Sequence, residues 1–116
     1  MGPSLSRDAI LECPDANIVP VEVPEWGGVV YVKELTAEER SRYDILLFKD
    51  GKVDTDNYYA RLCVFCVTDE HGNRIFSDDD AVPLGRKSSG AVGRVFDVAR
   101  KLNRIGAEEV ADLEKN

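Results

Sequence analysis

The sequence predicts an α+β fold in which a small N-terminal β-hairpin packs with a bundle of about four α-helices. Two valine-rich apolar runs flank a short glycine-containing loop at residues 24–28, and this pattern is typical of a hairpin. Later stretches carry apolar residues at helical spacing. A chain of 116 residues suits one domain with one modest core.

The predicted hairpin begins near Ile18 and ends near Lys33. Pro20 and Pro24 cannot donate hydrogen bonds to a neighbouring strand, so the first strand is expected at an edge of the sheet. Trp26 belongs to the loop. It is expected either to be exposed, where tryptophan is a frequent interface anchor, or to fold back onto the hairpin.

The first long helix is predicted over residues 36–49. Thr36 and Glu39 have the spacing of a capping box, in which each side chain bonds the backbone amide of the other residue. The apolar face of this helix comprises Tyr43, Ile45, Leu46, Leu47 and Phe48. Gly51 is expected to end the helix as a left-handed cap.

A second helix is predicted over residues 55–66, although the apolar run at residues 62–67 fits either a buried helix or a buried strand. Capping residues just before the segment favour the helix. The polar cluster at residues 68–73 is expected to be a plain turn, because it lacks the loop length and the distal glutamate of an EF-hand. Ser77 then caps a short helix that stops by Gly85.

The last long helix is predicted to begin after a cap at Ser88 or Ser89 and to run to about residue 105, with Gly106 as its C-cap. Its continuous apolar face comprises Val92, Val95, Phe96, Ala99 and Leu102. Such a stripe usually faces the core, but a small chain with several stripes is expected to leave some apolar surface for self-association or for a partner helix.

Three regions follow from these elements. Residues 1–17 are predicted to form an N-terminal arm, residues 18–106 a single α+β domain, and residues 107–116 an acidic C-terminal tail. Ile10 and Leu11 are expected either to anchor the arm on the body of the protein or to contact a partner.

The charge and composition exclude several classes of protein. A net charge of −7 would repel phosphate backbones, so binding to nucleic acid or to an anionic membrane is not expected. No apolar run approaches the roughly 20 residues that span a bilayer, and we expect no signal peptide. Three cysteines without a disulfide framework indicate an intracellular, reducing environment.

Two cysteines, Cys63 and Cys66, form a CxxC pair, which with Cys13 and His71 has the residue types of a zinc site. A structural zinc site usually places such a pair on a turn, whereas this pair lies inside an apolar segment, where free cysteine behaves as a small hydrophobic residue. The acids at residues 78–80 fit a solvated first helical turn better than an ion site. No triad or phosphate loop is present, so we expect no catalytic residue, cofactor or metal.

The order of seven sequence segments carries a family resemblance. These segments are SLSRDAIL at 4–11, VEVPEWGG at 21–28, VYV at 30–32, LTAEER at 35–40, ARL at 60–62, TDEHGNRIF at 68–76 and VFDVARKLN at 95–103. In this order the chain resembles, over about residues 4–105, the tail assembly chaperones of long, flexible-tailed bacteriophages of the siphovirus type. Cys63 and Cys66 depart from the aliphatic or small residues expected at those positions, and no role is transferred to them.

The resemblance implies a non-enzymatic assembly factor without shared catalytic residues or a cofactor. Such proteins bind the long helical tape measure protein, keep it soluble and help to recruit tail tube protein around it. They act in the host cytoplasm and are absent from the finished virion, and many of their genes also produce a longer product by ribosomal frameshifting. Self-association into a homo-oligomer is a further expectation for this family.

Aromatic and apolar residues are the expected partner-binding surface, since amphipathic helices of a tape measure protein would be masked by helix-in-groove contacts. The predicted partner-binding residues are Trp26, Tyr31, Phe76, Val92 and Phe96. Two alternatives remain open at this point. One is a small thiol or zinc-binding domain built on Cys63 and Cys66, and the other is a generic acidic interaction domain with a different partner.

Overall fold

The computed structural model describes residues 2–105, and its elements confirm the α+β class. The strands in this part of the chain are β1 (Ile18–Val23), β2 (Gly28–Lys33), β3 (Phe48–Lys49), β4 (Lys52–Val53) and β5 (Val67–Thr68). The α-helices are α1 (Arg7–Glu12), α2 (Ala37–Leu46), α3 (Tyr58–Cys66), α4 (Ala81–Leu84) and α5 (Ser89–Leu102). The C-cap predicted at Gly106 and the tail predicted at residues 107–116 lie outside the described residues.

The main sheet has the strand order β1-β2-β5, and both of its strand pairs are antiparallel. The hairpin is confirmed, with Ile18 opposite Lys33 and Val23 opposite Gly28. β1 lies at the edge of the sheet, as its prolines predicted. The loop is a 3-10 turn, Pro24–Trp26, which ends at Gly27 with a φ of 74°, a left-handed conformation that glycine adopts without steric cost.

Helix α2 begins as predicted but ends earlier. The capping box is confirmed, because the Glu39 amide donates to Thr36 Oγ1 at 3.2 Å and the Thr36 amide donates to Glu39 Oε1 at 3.0 Å. The predicted continuation to residue 49 is wrong, since residues 48–53 form the small hairpin β3–β4. Asp50 and Gly51 have φ values of 53° and 77°, so they form a hairpin turn instead of a helix cap.

Helix α3 is the central element, and the choice of helix over strand is confirmed for residues 58–66. It begins after Asn57, whose φ of 52° is left-handed. The apolar run is divided between two elements, because Val67 leaves the helix in an extended conformation and pairs with Val32 of β2. All residues from 62 to 68 are buried.

Helix α5 packs on α3 and on the β1–β2 hairpin. Ser88 is its cap and accepts from the Ala91 amide at 3.3 Å. The helix ends at Leu102 rather than near residue 105, because Arg104 adopts a left-handed φ of 58°. The buried side chains of the sheet, α3 and α5 form one continuous core.

The N-terminal arm carries the short helix α1, which Ser6 caps by accepting from the Ala9 amide at 3.1 Å. None of its residues is buried. The expectation that Ile10 and Leu11 anchor the arm on the body is therefore wrong, since both side chains are exposed. Apolar composition alone does not decide burial, because much of every protein surface is apolar.

Candidate functional site

A groove lies between the hairpin loop and α4, and we call it the Trp26 groove. It is lined by Trp26, Ile75, Phe76, Pro83 and Leu84, has Glu25, Asp80 and Lys87 among its charged residues, and has a volume of about 790 Å³. Trp26 and Phe76 are half-buried and pack against the core, whereas Ile75 is largely exposed. Trp26 therefore combines the two predicted placements, since part of its side chain packs inward and part lines a surface groove.

One wall of the Trp26 groove is held by an ion pair. Glu25, within the loop, pairs with Arg94 of α5. A side-chain hydrogen bond from Arg94 lowers the pKa of Glu25 below its ordinary value. This contact ties the loop that carries Trp26 to the last helix, so the indole is attached to the body through more than its own packing.

A compact turn positions another part of the groove lining. Asp69 accepts from the amides of His71 and Asn73 at 2.8 and 2.9 Å, so the predicted plain turn is confirmed. Hydrogen bonds from Asn73 and His71 lower the pKa of Asp69. The turn brings Arg74 back beside Thr68. The following residues, Ile75 and Phe76, then line the Trp26 groove.

Helix α4, which follows a locally capped turn, lines the Trp26 groove. The Ser77 amide donates to Asp80 Oδ2 at 2.9 Å, and this box starts the 3-10 turn Asp78–Asp80. α4 follows directly and supplies Pro83 and Leu84 to the groove. Asp80 thus acts in local capping, and Asp78 acts in ion pairing with Arg42 and Arg74.

The five predicted partner-binding residues fall into two groups. Trp26 and Phe76 line the same groove, and Tyr31 is half-buried on β2 opposite Pro20. Val92 and Phe96 are only 5% and 3% exposed, so their predicted availability to a partner is wrong. Both belong to the face of α5 that packs into the core, and the Phe96 ring lies 5.7 Å from the ring of Tyr58 in α3. Partner binding by the other three residues stays a prediction.

A second groove, which the sequence reasoning missed, lies beside the β3–β4 hairpin, and we call it the hairpin groove. Its volume is about 530 Å³, and its apolar lining includes Tyr43, Leu46, Phe48, Phe65 and Val82. Leu46, Phe48 and Val82 are 45%, 59% and 49% exposed. The sequence feature that predicts the β3–β4 hairpin beside this groove is the Asp50-Gly51 pair, because Asp-Gly between β-compatible residues is a strong hairpin pattern.

The polar edge of the hairpin groove is a charged cluster around Phe65. The Arg42 and Arg74 guanidinium groups lie 4.9 and 4.5 Å from the centre of the Phe65 ring. Each also pairs with Asp78 at 2.8 Å. Partial burial raises the pKa of Asp78, but hydrogen bonds from Arg74 and Arg42 outweigh it and hold this pKa below its ordinary value. Asp54 pairs with Arg61 at 2.6 Å on the same side.

The cysteine pair lies in the core. Cys63 donates to the Val92 carbonyl at 3.8 Å, and the Asn103 amide group donates to Cys66 Sγ at 3.5 Å. Burial raises the pKa of Cys66 to about 12 and that of Cys63 further still, so both thiols are protonated at neutral pH. Cys13 is exposed on the arm, and residues 2–105 contain no cluster of three or more His, Cys, Asp or Glu arranged to hold a metal. No observation favours the thiol or zinc alternative.

Comparison with known proteins agrees with the resemblance read from the ordered sequence segments. The family model described as phage tail assembly chaperone matches residues 9–116. Searches of curated proteins and of solved structures each return no match. No helix within residues 2–105 is long and apolar enough to cross a membrane. Because the family match covers nearly the whole chain, this protein belongs to the phage tail assembly chaperone family.

Proposed function

We propose that this chain binds the tape measure protein of a phage tail, keeps it soluble and helps to recruit tail tube protein around it. The observation that carries the proposal is the chaperone family match over residues 9–116. The proposal places this activity in the host cytoplasm and assigns the chain no catalytic step and no place in the finished virion. The net charge of −7 supports solubility of the complex, because a strongly charged surface resists aggregation.

The proposed docking site is the Trp26 groove. Trp26 and Phe76 offer two aromatic faces in a concave surface, and aromatic anchors in pockets dominate many interfaces. An amphipathic helix would bury its apolar face here, with Ile75, 53% exposed, as an accessible apolar contact. Glu25, Asp80 and Lys87 offer charges of both signs to its polar flanks.

Co-expression with the tape measure protein of the same phage tests the function. We expect a larger soluble fraction of tape measure protein with this chain than without it, and co-elution of the two on size exclusion. If a well-expressed tape measure protein stays insoluble and nothing co-elutes, even with any longer frameshifted product supplied, the proposed function is wrong.

Variants test the site separately from the function. Ile75→Gln changes an exposed side chain of the Trp26 groove, and Trp26→Ala removes its main aromatic surface. Both should reduce co-elution, whereas Val29→Thr, at an exposed position of β2 that does not line the groove, should not. Melting curves identify any variant that fails to fold. Normal co-elution with both folded groove variants would exclude this groove as the docking site while leaving the function in place.

A further inference from the structure

The charged residues that line the Trp26 groove differ in what they already bind. Glu25 pairs with Arg94, and its Oε2 atom lies 3.5 Å from the position that a Cβ on Gly90 would take, beside the first turn of α5. A carboxylate with a guanidinium partner at a helix N-terminus is well compensated. Glu25 therefore has little need of a cation from another molecule.

Asp80, at the start of α4, is engaged by its own turn. Its Oδ2 atom accepts from the Ser77 amide at 2.9 Å and from the Ser77 hydroxyl at 3.4 Å. These bonds hold the carboxylate in the capping box that precedes α4. Asp80 thus adds a negative charge to the groove, but its position is set by the fold.

Lys87, just beyond the other end of α4, is the charged lining residue that remains available. Its side chain is exposed and forms no ion pair with any residue in the described range 2–105. Arg86 beside it is also exposed and has no ion pair in that range. With Arg86 and Arg94 counted, three cations stand against two carboxylates at and directly beside the groove, in a chain whose net charge is −7.

A lysine at the rim of an apolar groove has a defined use in recognition. Its methylene chain packs along apolar surface while the ammonium group stays in water. A helix that buries its apolar face against Trp26 and Phe76 presents its polar flank to this rim. An ammonium group there attracts a carboxylate on that flank and repels a cation.

We propose that Lys87 selects the helix bound in the Trp26 groove by pairing with an acidic side chain on its polar flank. Because the partner is a segment of the tape measure protein, this proposal rests on the proposed function and names the chemistry of the segment. The segment carries apolar side chains at helical spacing and a carboxylate at the edge of that apolar stripe. Segments with a cation at the same place are rejected, since specificity comes from repulsion as well as from attraction.

Overlapping peptides of the tape measure protein of the same phage, each of about 20 residues so that a helix can form, provide the probe. Fluorescence anisotropy of labelled peptides gives the dissociation constants. Trp26 is the single tryptophan of the chain, so a change in its emission with peptides that lack tryptophan shows that they occupy this groove. We expect the peptides that bind there to carry Asp or Glu beside their apolar stripe.

Three changes at Lys87 and one elsewhere separate its role from that of net charge. Lys87→Gln should weaken binding about twofold to fivefold, the range of an exposed ion pair. Lys87→Glu should weaken it at least about tenfold by repulsion, and Lys87→Arg should retain it. Lys101→Gln is the matched control, because it removes one charge from an exposed position of α5 outside the groove, and it should bind like the unaltered chain.

A double-mutant cycle identifies the carboxylate that pairs with Lys87. Each acidic residue of the tightest-binding peptide is replaced in turn by its amide, and binding to the unaltered chain and to the Lys87→Gln variant is compared. One replacement should weaken binding to the unaltered chain about twofold to fivefold and leave binding to the variant unchanged. A lysine at that peptide position should restore binding to the Lys87→Glu variant.

Each of three results would overturn the proposal. They are folded Lys87→Gln and Lys87→Glu variants that bind as tightly as the unaltered chain, a cycle in which no peptide carboxylate is coupled to Lys87, and the absence of any peptide that changes the emission of Trp26. The first two leave the proposed function intact, because co-expression measures it separately. The third also excludes the Trp26 groove as the docking site. Lys87 is exposed, so these changes remove no packing from the core, and melting curves establish folding.

Discussion

Asn103 shows how one residue joins three parts of the fold. Its side chain accepts from the Leu35 amide at 2.8 Å and donates to the carbonyls of Ala99 at 2.9 Å and Lys33 at 3.4 Å. It thereby connects the end of α5 to the segment between β2 and α2, and it is buried. The sequence offered no signal for this role, because an asparagine near a helix end is usually a local cap.

We predict that Asn103→Ala lowers the free energy of unfolding by about 1–3 kcal/mol, because it leaves the buried Leu35 amide without its acceptor. Urea unfolding followed by circular dichroism measures the change. Lys101→Ala, on the exposed face of the same helix, is the control and should stay within about 0.5 kcal/mol. A loss for Asn103→Ala no larger than that of the control would contradict this role.

At the scale of elements, two glycines differ in the space that an added side chain would find. A Cβ added to Gly85, just after α4, would collide with Asn57 Oδ1 and lie 3.0 Å from the Ala81 carbonyl oxygen. A Cβ added to Gly93, within α5, would meet nothing within 4 Å. The close approach that requires a glycine therefore lies where α4 meets the start of α3, and not at Gly93 within α5.

We predict that Gly85→Ala lowers the free energy of unfolding by about 1–3 kcal/mol through overpacking. Gly93→Ala should raise it by about 0.5–1 kcal/mol, because alanine loses less backbone entropy in a helix. Thermal unfolding of the two variants side by side gives the comparison. Equal effects of the same sign would show that the surroundings of the two glycines do not determine the outcome.

At the scale of the whole molecule, carboxylates on several elements are held in their charged form. The pKa of Asp78, whose ordinary value is 3.8, is lowered by Arg74 and Arg42 despite partial burial. Burial likewise raises the pKa of Glu39, ordinarily 4.5, but hydrogen bonds from Lys33 and the Thr36 backbone lower it overall. Because these groups are more acidic in the folded state than in the unfolded state, their stabilising contribution is complete above the ordinary pKa values and is lost as pH falls through the folded values.

We therefore predict that the free energy of unfolding changes little from neutral pH down to about pH 5 and decreases as pH falls below about 4. Urea unfolding at a series of pH values measures the profile. Asp78→Asn should be less stable at pH 7 and should lose less further stability on acidification, since it lacks one of the titrating groups. A variant whose acid-induced loss equals that of the unaltered chain would contradict the contribution of Asp78.

Sequence alone was sufficient where the physical cause is local. The capping box of Thr36 and Glu39, the hairpin loop that ends at Gly27 and the turn organised by Asp69 each depend on residues within a few positions of one another. Family membership also came from sequence, because an ordered set of segments along one chain is a one-dimensional property.

Only the tertiary structure decided which apolar surfaces are buried and which are left open. The apolar stripe of α5 that contains Val92 and Phe96 has a sequence pattern that fits either the core or a partner surface. The packing of α5 places both side chains in the core. Trp26 and Phe76, fifty residues apart, line one groove, and the Glu25–Arg94 pair and the Asp69 turn are contacts of the segments that carry them. Burial depends on contacts between distant segments, and such contacts exist only once the chain has folded.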